Sequence, residues 1–434
     1  MSKIPIVFST NEEYAPYCTT TIASILSNAK ENTELEFLIL STGLSQATKN
    51  KFEKLKKIKD CSMEFISVNK KDFMNCPISD HFSIETYFRF KLASFLPMHD
   101  KVIYLDSDMI VLKDLSELFE TAIDNNYAAM VINSRTKNTP KEYQSRLDMP
   151  VGMPYFNAGL MLINLYQWRK NAIEKKLFEW TKLNTNKIRW VDQDVINVVL
   201  GGFIKEVPEI FNLQLTCYKD KETLASFAKI EELAIIHYCG PTKPWNEKEM
   251  FLSEYFWRYA EASAFYDQIR ERFIFNYLEM QETEAEFVKN LIRKYKPIKL
   301  LEVGVAAGSC CAIMLKEVKH NLNSSVFGID YRSLYYRNEK KKTGWVVEEV
   351  FPELKNKLRL YTGGLAALHL DQIGKDIDFC ILDTRHVLPG ELLDFLMVLP
   401  FLKNGAICVV HDTNLHNMFV QKGSIRVSKN ADAN

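Results

Sequence analysis

The sequence predicts an α/β protein of two successive nucleotide-binding-type units. Three observations lead there. Residues 4–68 alternate strand and helix patterns. A second strand, glycine turn, helix and strand begin at Lys299. The chain has 434 residues, too long for one typical domain.

Ile4 to Phe8 reads as a first strand that ends in polar Ser9, Thr10 and Asn11. A helix pattern follows from Tyr14 to Asn28, and a second strand from Leu35 to Leu40. Ser45 opens a helix that runs to Ile58, and Met63 to Val68 is a third strand. This alternation predicts a parallel sheet with a ligand site at its strand ends. No glycine-rich phosphate loop follows the first strand, which disfavours a dinucleotide fold. A nucleotide bound here needs another clamp for its phosphates.

The stretch from Lys101 to Val111 supplies one. Val102-Ile103-Tyr104-Leu105 is apolar and reads as a buried strand. Asp106 and Asp108 follow at i and i+2, which share one side of an extended segment. Two carboxylates placed so can hold one cation, and hard oxygen ligands suit Mn²⁺ or Mg²⁺. A turn or a helix cap is the plainer explanation, and Asp-X-Asp alone does not decide.

Ser83 to Leu92 reads as a helix in which Arg89 snorkels to solvent. Tyr155 to Asn164 is a strand broken by polar Asn157, a turn residue or a ligand contact. Asp192, Gln193 and Asp194 open an apolar helix, where an N-cap is the ordinary role for Asp192. His237 ends a further strand, where a lone histidine is more often structural. The loop from Gly240 to Trp245 is stiffened by prolines and carries Lys243.

Composition narrows the class. Lys plus Arg and Asp plus Glu are both 55, so no net field draws the chain to nucleic acid or an anionic membrane. Nine scattered cysteines without a CxxC pair fit a reducing cytoplasm. The N-terminus lacks a signal-peptide layout, and no apolar run reaches roughly 18 residues. A cytoplasmic enzyme is expected.

Taken together, Ile6 to Tyr14, His81 to Leu92, Leu105 to Asp108, Tyr155 to Asn164, Asp192 to Asp194 and His237 to Trp245 resemble glycosyltransferase family 8. The likeness is to the bacterial lipopolysaccharide galactosyl- and glucosyltransferases and covers roughly the first 265 residues. It implies a nucleotide-diphospho-sugar transferase fold, a single Rossmann-like domain with a mixed sheet. It also implies a retaining, metal-dependent reaction. Asp106, Asp108 and His237 match the metal ligands, which suit Mn²⁺. Lys243 matches the diphosphate contact, and Gly240 a point where backbone closes on the phosphates. Arg89, Asn157 and Asp192 match donor-sugar contacts. Gln193 matches the residue near the reacting face of the anomeric carbon. Asn11 and Tyr14 hold the uracil positions, Tyr14 as a stacking ring. The implied partners are UDP-galactose or UDP-glucose and a glycan or lipid-linked oligosaccharide acceptor.

From Asn246 to Tyr277 the chain is helical and crowded with aromatics. It reads as a helical tail packed on the catalytic domain. The alternative is a membrane-surface patch, which would hold the enzyme peripherally on the inner face of the membrane; sparse lysines favour packing.

Thr283 to Tyr295 is a helix, and Lys299 to Val303 a strand followed by Gly304, Ala306 and Gly308. Asp330 ends the next strand. A glycine turn with an acid about 20 residues on is the nucleotide-ribose arrangement. The segment resembles class I S-adenosylmethionine-dependent methyltransferases, with Ala306 in place of the usual glycine. In that likeness Glu302, Gly304 and Gly308 line the cofactor and Asp330 binds its ribose. Asp383 and Asp412 match acids that hold a metal in one subgroup, with His386 close by. Only Ser424 to Val427 hints at a closing strand, so a shortened domain is expected.

The expected organisation is a transferase domain over 1–270, a helical connection over 271–285, a methyltransferase-like domain over 286–425 and a polar tail over 426–434. The leading function is hexosyl transfer. The alternative is a glycan O-methyltransferase whose N-terminal domain serves acceptor binding.

Overall fold

A computed structural model describes residues 3–78, 83–136, 140–218, 220–225, 228–384 and 390–411. The chain divides into two compact units, Met1–Ile269 and Arg270–Asn434.

In the first unit, β1 (Ile4–Ser9), β2 (Leu35–Ser41) and β3 (Ser62–Ser67) pair in parallel. Helices Ala15–Asn28 and Gln46–Glu53 connect them. β4 (Lys101–Leu105) lies parallel beside β1. After the short β5 (Met109–Val111) and β6 (Ala128–Ile132), β7 (Phe156–Asn164) runs antiparallel between β4 and β6. β8 (Ile204–Glu206) completes a mixed seven-stranded sheet in the order β3-β2-β1-β4-β7-β6-β8. β9 (Leu213–Gln214) and β10 (Ile235–His237) join β5 in a separate three-stranded sheet, with β10 in the middle.

The large sheet is covered on both faces, so its central strands are apolar throughout rather than alternating. In β4, Ile103 and Leu105 enter one core with Ile6 and Phe8, while Val102 and Tyr104 enter the other with Val7 and Leu38. Truncating such a residue to Ala costs about 2–5 kcal/mol. This packing holds the strand end rigid where the chemistry sits.

Four local expectations change. Asp106, Ser107 and Asp108 form a turn between β4 and β5 rather than an extended segment. The chain leaves the large sheet there and enters the small one. The approach to β4 is a 3-10 helix, Ile84–Lys91, followed by a short α-helix, Leu92–Phe95. Its Arg89 is 2% exposed rather than snorkelling, because Tyr104 and acids receive it. Asp192 lies inside the first turn of helix Val191–Leu200, whose N-cap is Trp190.

The aromatic stretch folds as helices Ser253–Ala260 and Tyr266–Phe275. Phe256, Tyr259, Phe265 and Phe273 are buried, and Phe251, Tyr255, Trp257, Tyr266, Phe275 and Tyr277 are half-buried. Among the described residues no helix is long and apolar enough to cross a membrane.

The second unit carries β11 (Lys299–Val303), β12 (Ser325–Asp330), the hairpin β13 (Leu334–Tyr335) and β14 (Asn338–Lys342), β15 (Leu358–Thr362), β16 (Ile377–Leu382) and β17 (Leu402–Val410). Five of them form a parallel sheet in the order β15-β12-β11-β16-β17. The order reverses at β11, which is the ligand position of such sheets. Asp412, His386, the hinted strand from Ser424 to Val427 and the polar tail lie outside the described residues.

Candidate functional site: an acidic pair, a histidine and a lysine

The turn after β4 and the end of β10 meet because β10 pairs antiparallel with β5, with His237 opposite Met109. One ligand atom each from Asp106, Asp108 and His237 lies within 4.8 Å of the others. Two carboxylates and an imidazole form a donor set that fits Mn²⁺, with room in its coordination for further oxygens. Lys243 Nζ donates to Asp108 Oδ2 at 2.5 Å and to the Tyr238 carbonyl at 2.8 Å. Burial opposes charge on Asp108, yet the Lys243 ammonium outweighs it and holds its carboxyl far below the usual range. Lys243 is half-buried, and Asp108 keeps it protonated by raising its pKa. The pair is therefore ionised at neutral pH.

Arg89 supports the other carboxylate. Its Nη2 donates to Asp106 Oδ1 at 2.7 Å, its Nη1 to the Ala158 carbonyl and its Nε to the Thr86 carbonyl at 3.1 Å. The guanidinium lies 4.1 Å over the Tyr104 ring. Asp192 accepts from Thr86 Oγ1 at 2.5 Å through Oδ1. Its buried Oδ2 sits 3.0 Å from Arg89 Nε but has no hydrogen-bond partner among the described residues. Burial pushes the Asp192 carboxyl up to about 6 against the pull of Arg89.

Gln193 is anchored: Oε1 accepts from Ala158 N at 3.0 Å, and Nε2 donates to the Tyr155 hydroxyl at 3.2 Å. Asp194 is consumed in structure. It accepts a fork from Arg146 at 2.8 and 3.0 Å, the Tyr155 hydroxyl at 2.6 Å and the backbone of Arg189 and Trp190.

Asn11 Oδ1 accepts from Tyr14 N at 2.9 Å, which sets the entry to the first helix. Tyr14 is 38% exposed and stands edge-on to Tyr17 and Trp245. Trp245 stacks on Tyr17 with centroids 3.7 Å apart, pinning the loop that carries Lys243. Gly240 in that loop has φ +96°, a left-handed conformation that favours glycine.

Three residues escaped sequence reasoning. Gly159 is one: a Cβ there would collide with the His237 ring and lie 3.0 Å from both Asn157 Oδ1 and Asp106 Oδ2. A glycine inside a strand was the available signal. Asn212 is the second, its Oδ1 2.9 Å from His237 Nδ1 and its Nδ2 2.9 Å from Asn157 Oδ1. Thr86 is the third. Neither polar residue carries a local signal, because each partner is remote in sequence.

In the second unit, Gly304 and Gly308 have φ +93° and +90°. A Cβ at Gly304 would strike the Asp383 carbonyl, and one at Gly308 would lie 2.8 Å from Gly344 Cα. Asp330 Oδ2 accepts from Val305 N and Ala306 N at 2.9 Å, and its Oδ1 from Arg332 N at 2.8 Å. Glu302 is 1% exposed with Oε2 unpartnered among the described residues, and burial pushes its carboxyl up to about 8. Asp383 Oδ1 lies 3.1 Å from His411 Nδ1, and His411 Nε2 lies 3.3 Å from Glu284 Oε2.

Residues 301–413 match a methyltransferase domain family. Residues 5–249, more than half of the chain, match glycosyl transferase family 8. A Haemophilus influenzae protein named only as a glycosyltransferase is 32% identical over 247 residues, covering 56% of this chain and 73% of its own. The lipopolysaccharide 1,3-galactosyltransferase of Salmonella typhimurium is 29% identical over 264 residues, covering 58% and 77%. The crystal structure of the galactosyltransferase LgtC with donor and acceptor sugar analogues superposes with a TM-score of 0.55 at 31% identity, covering 60% of this chain and 96% of that one. With its acidic turn, histidine and lysine gathered at one strand end, the chain belongs to glycosyl transferase family 8 and is an enzyme of glycosyl transfer.

Proposed function

We propose that the first unit transfers galactose or glucose from a UDP-sugar to a lipopolysaccharide or other cell-surface glycan, with retention and with Mn²⁺. The carrying observation is the convergence of Asp106, Asp108 and His237 beside Lys243. These three residues would hold the cation. When bound, it would supply Lewis-acid stabilisation of the leaving diphosphate.

The chain's own residues do the rest. Lys243 carries a fixed positive charge where the β-phosphate develops its negative charge. Arg89 and the spare oxygen of Asp192 supply a donor and an acceptor for sugar hydroxyls, with Asn157 beside them. Tyr14 offers a ring face to uracil, and Asn11 has its Nδ2 left for a base carbonyl. Double displacement wants a carboxylate nucleophile. Gln193 is an amide already bound through Oε1, and Asp194 is fully engaged by Arg146, Tyr155 and backbone. We therefore favour attack on the leaving-group face, with the departing phosphate taking the acceptor's proton. Nine free thiols support a cytoplasmic setting.

For the second unit we propose S-adenosylmethionine as ligand, held along Glu302, Gly304 and Gly308. The match of residues 301–413 and the orphaned Glu302 oxygen support this. Asp330 would meet ribose only through lone pairs left over from the turn, and Asp383 would reach the ligand while partnered by His411.

The test is UDP release from UDP-galactose, UDP-glucose and UDP-N-acetylglucosamine, with Mn²⁺ and with chelator. Mn²⁺-dependent release from a hexose donor, abolished by Asp108→Ala, is expected. Silence with every donor would contradict the proposal.

A further inference from the structure

Four groups beside the acidic pair form one chain of hydrogen bonds. Gly159 N donates to Asn157 Oδ1 at 3.0 Å. Asn212 links Asn157 to His237, at 2.9 Å on each side. An amide and an imidazole can each be turned either way, so the polarity of such a chain must come from a group that cannot turn. The Gly159 N–H is that group, because a backbone amide only donates. Asn157 Oδ1 is therefore an acceptor. The Asn212 atom facing it is Nδ2. Asn212 then turns Oδ1 to His237, whose Nδ1 must carry the proton.

We propose that Asn212 is a positioning residue with two outputs. It holds His237 as the Nδ1–H tautomer, leaving the Nε2 lone pair, 3.3 Å from Asp108 Oδ1, for the divalent cation. It also fixes Asn157 by its oxygen, so that Asn157 offers Nδ2 as a donor to the transferred sugar. Asn212 and His237 are 0% and 3% exposed, so water does not stand in for either bond. An outer partner that orients a metal-binding imidazole is worth about 10–100-fold in metal affinity. The inference rests on the proposed metal site and goes beyond it, since it makes metal affinity and sugar affinity separable through one residue.

The experiment measures two quantities on the full chain. One is the dissociation constant of Mn²⁺ alone, followed by its electron paramagnetic resonance. The other is the affinity ratio of UDP-galactose and UDP-glucose to UDP at saturating Mn²⁺. Asn212→Ala loses both bonds, and Mn²⁺ binding is expected to weaken about tenfold or more. Asn212→Asp keeps an acceptor for His237 but loses the N–H to Asn157. It is expected to keep Mn²⁺ affinity within about threefold while the sugar-to-UDP ratio falls about fivefold, near the worth of one net hydrogen bond. In ¹⁵N imidazole spectra of the metal-free protein, the His237 signal, identified by its loss in His237→Ala, reports Nδ1–H in wild type. Mn²⁺ affinity unchanged in Asn212→Ala, or an unchanged ratio in Asn212→Asp, would overturn the assignment. Should Asn212→Ala not fold, the Asp variant decides alone. Failure of wild type to bind Mn²⁺ would overturn the metal site as well, which separates the two claims.

Discussion

Both units end a central parallel strand in acids, and they use those acids in opposite ways. In the first, Asp106 and Asp108 are answered by side chains from elsewhere: Arg89 from the preceding 3-10 helix, Lys243 from a distant loop and His237 from the small sheet. In the second, Asp330 is answered by its own surroundings, the backbone N–H groups of Val305, Ala306 and Arg332. A carboxylate satisfied by remote charges is held in an electrostatic balance that a cation can enter. A carboxylate satisfied by local backbone shapes a turn. Acid stands at a strand end in both units, but only its partners tell whether it is placed to meet a ligand or to build the loop.

The largest effect that separates the two comes from Asp106→Ala. Removing one of the proposed metal ligands should lower turnover of the proposed UDP-sugar about a thousandfold or more, with the folded signal retained. Next is Gly159→Ala, where the added methyl displaces the His237 ring. Turnover should fall about a hundredfold, as expected for a displacement near 1 Å, with weakened metal dependence. Asp330→Ala should act on stability instead. It leaves turn N–H groups without an acceptor, at a cost of about 1–3 kcal/mol for each one kept from water. The second unit should melt earlier while donor turnover by the first stays near wild type.

The last effect is a slope. Burial raises Glu302 from 4.5 to about 8, so the folded unit keeps a proton that the unfolded chain releases. Its stabilising contribution is complete below pH 4.5 and is lost as pH rises to about 8. The slope is about 1.4 kcal/mol per pH unit. Glu302→Gln should flatten that dependence in thermal melts between pH 5 and 8; an unchanged slope would show that Glu302 is ionised in the fold.

Much of this was legible in the sequence. The alternation up to β3 fixes a parallel sheet because both faces are buried, and the apolar run before Asp106 marks the strand that delivers the acids. The reason offered for their shared side was mistaken. They converge through a turn between two sheets, and antiparallel pairing of β5 with β10 brings His237 to them. Arg89 was legible as a residue but not as a buried one, since its remote partners lie in the turn after β4, on β7 and on the Val191–Leu200 helix. Asn212 was illegible. Its role depends on partners 25 and 55 positions away, and a lone asparagine in the bend before a short strand signals nothing by itself. Local pattern reveals strands and caps, while the orientation of a site lies in long-range bonds.

The most direct test of the central claim is anomalous diffraction at the manganese edge from crystals grown with Mn²⁺ and UDP. The account predicts one strong peak about 2.0–2.3 Å from an oxygen of Asp106, an oxygen of Asp108 and Nε2 of His237, the span of ordinary O and N ligand distances. A peak held by other residues, or none at saturating Mn²⁺, would contradict it.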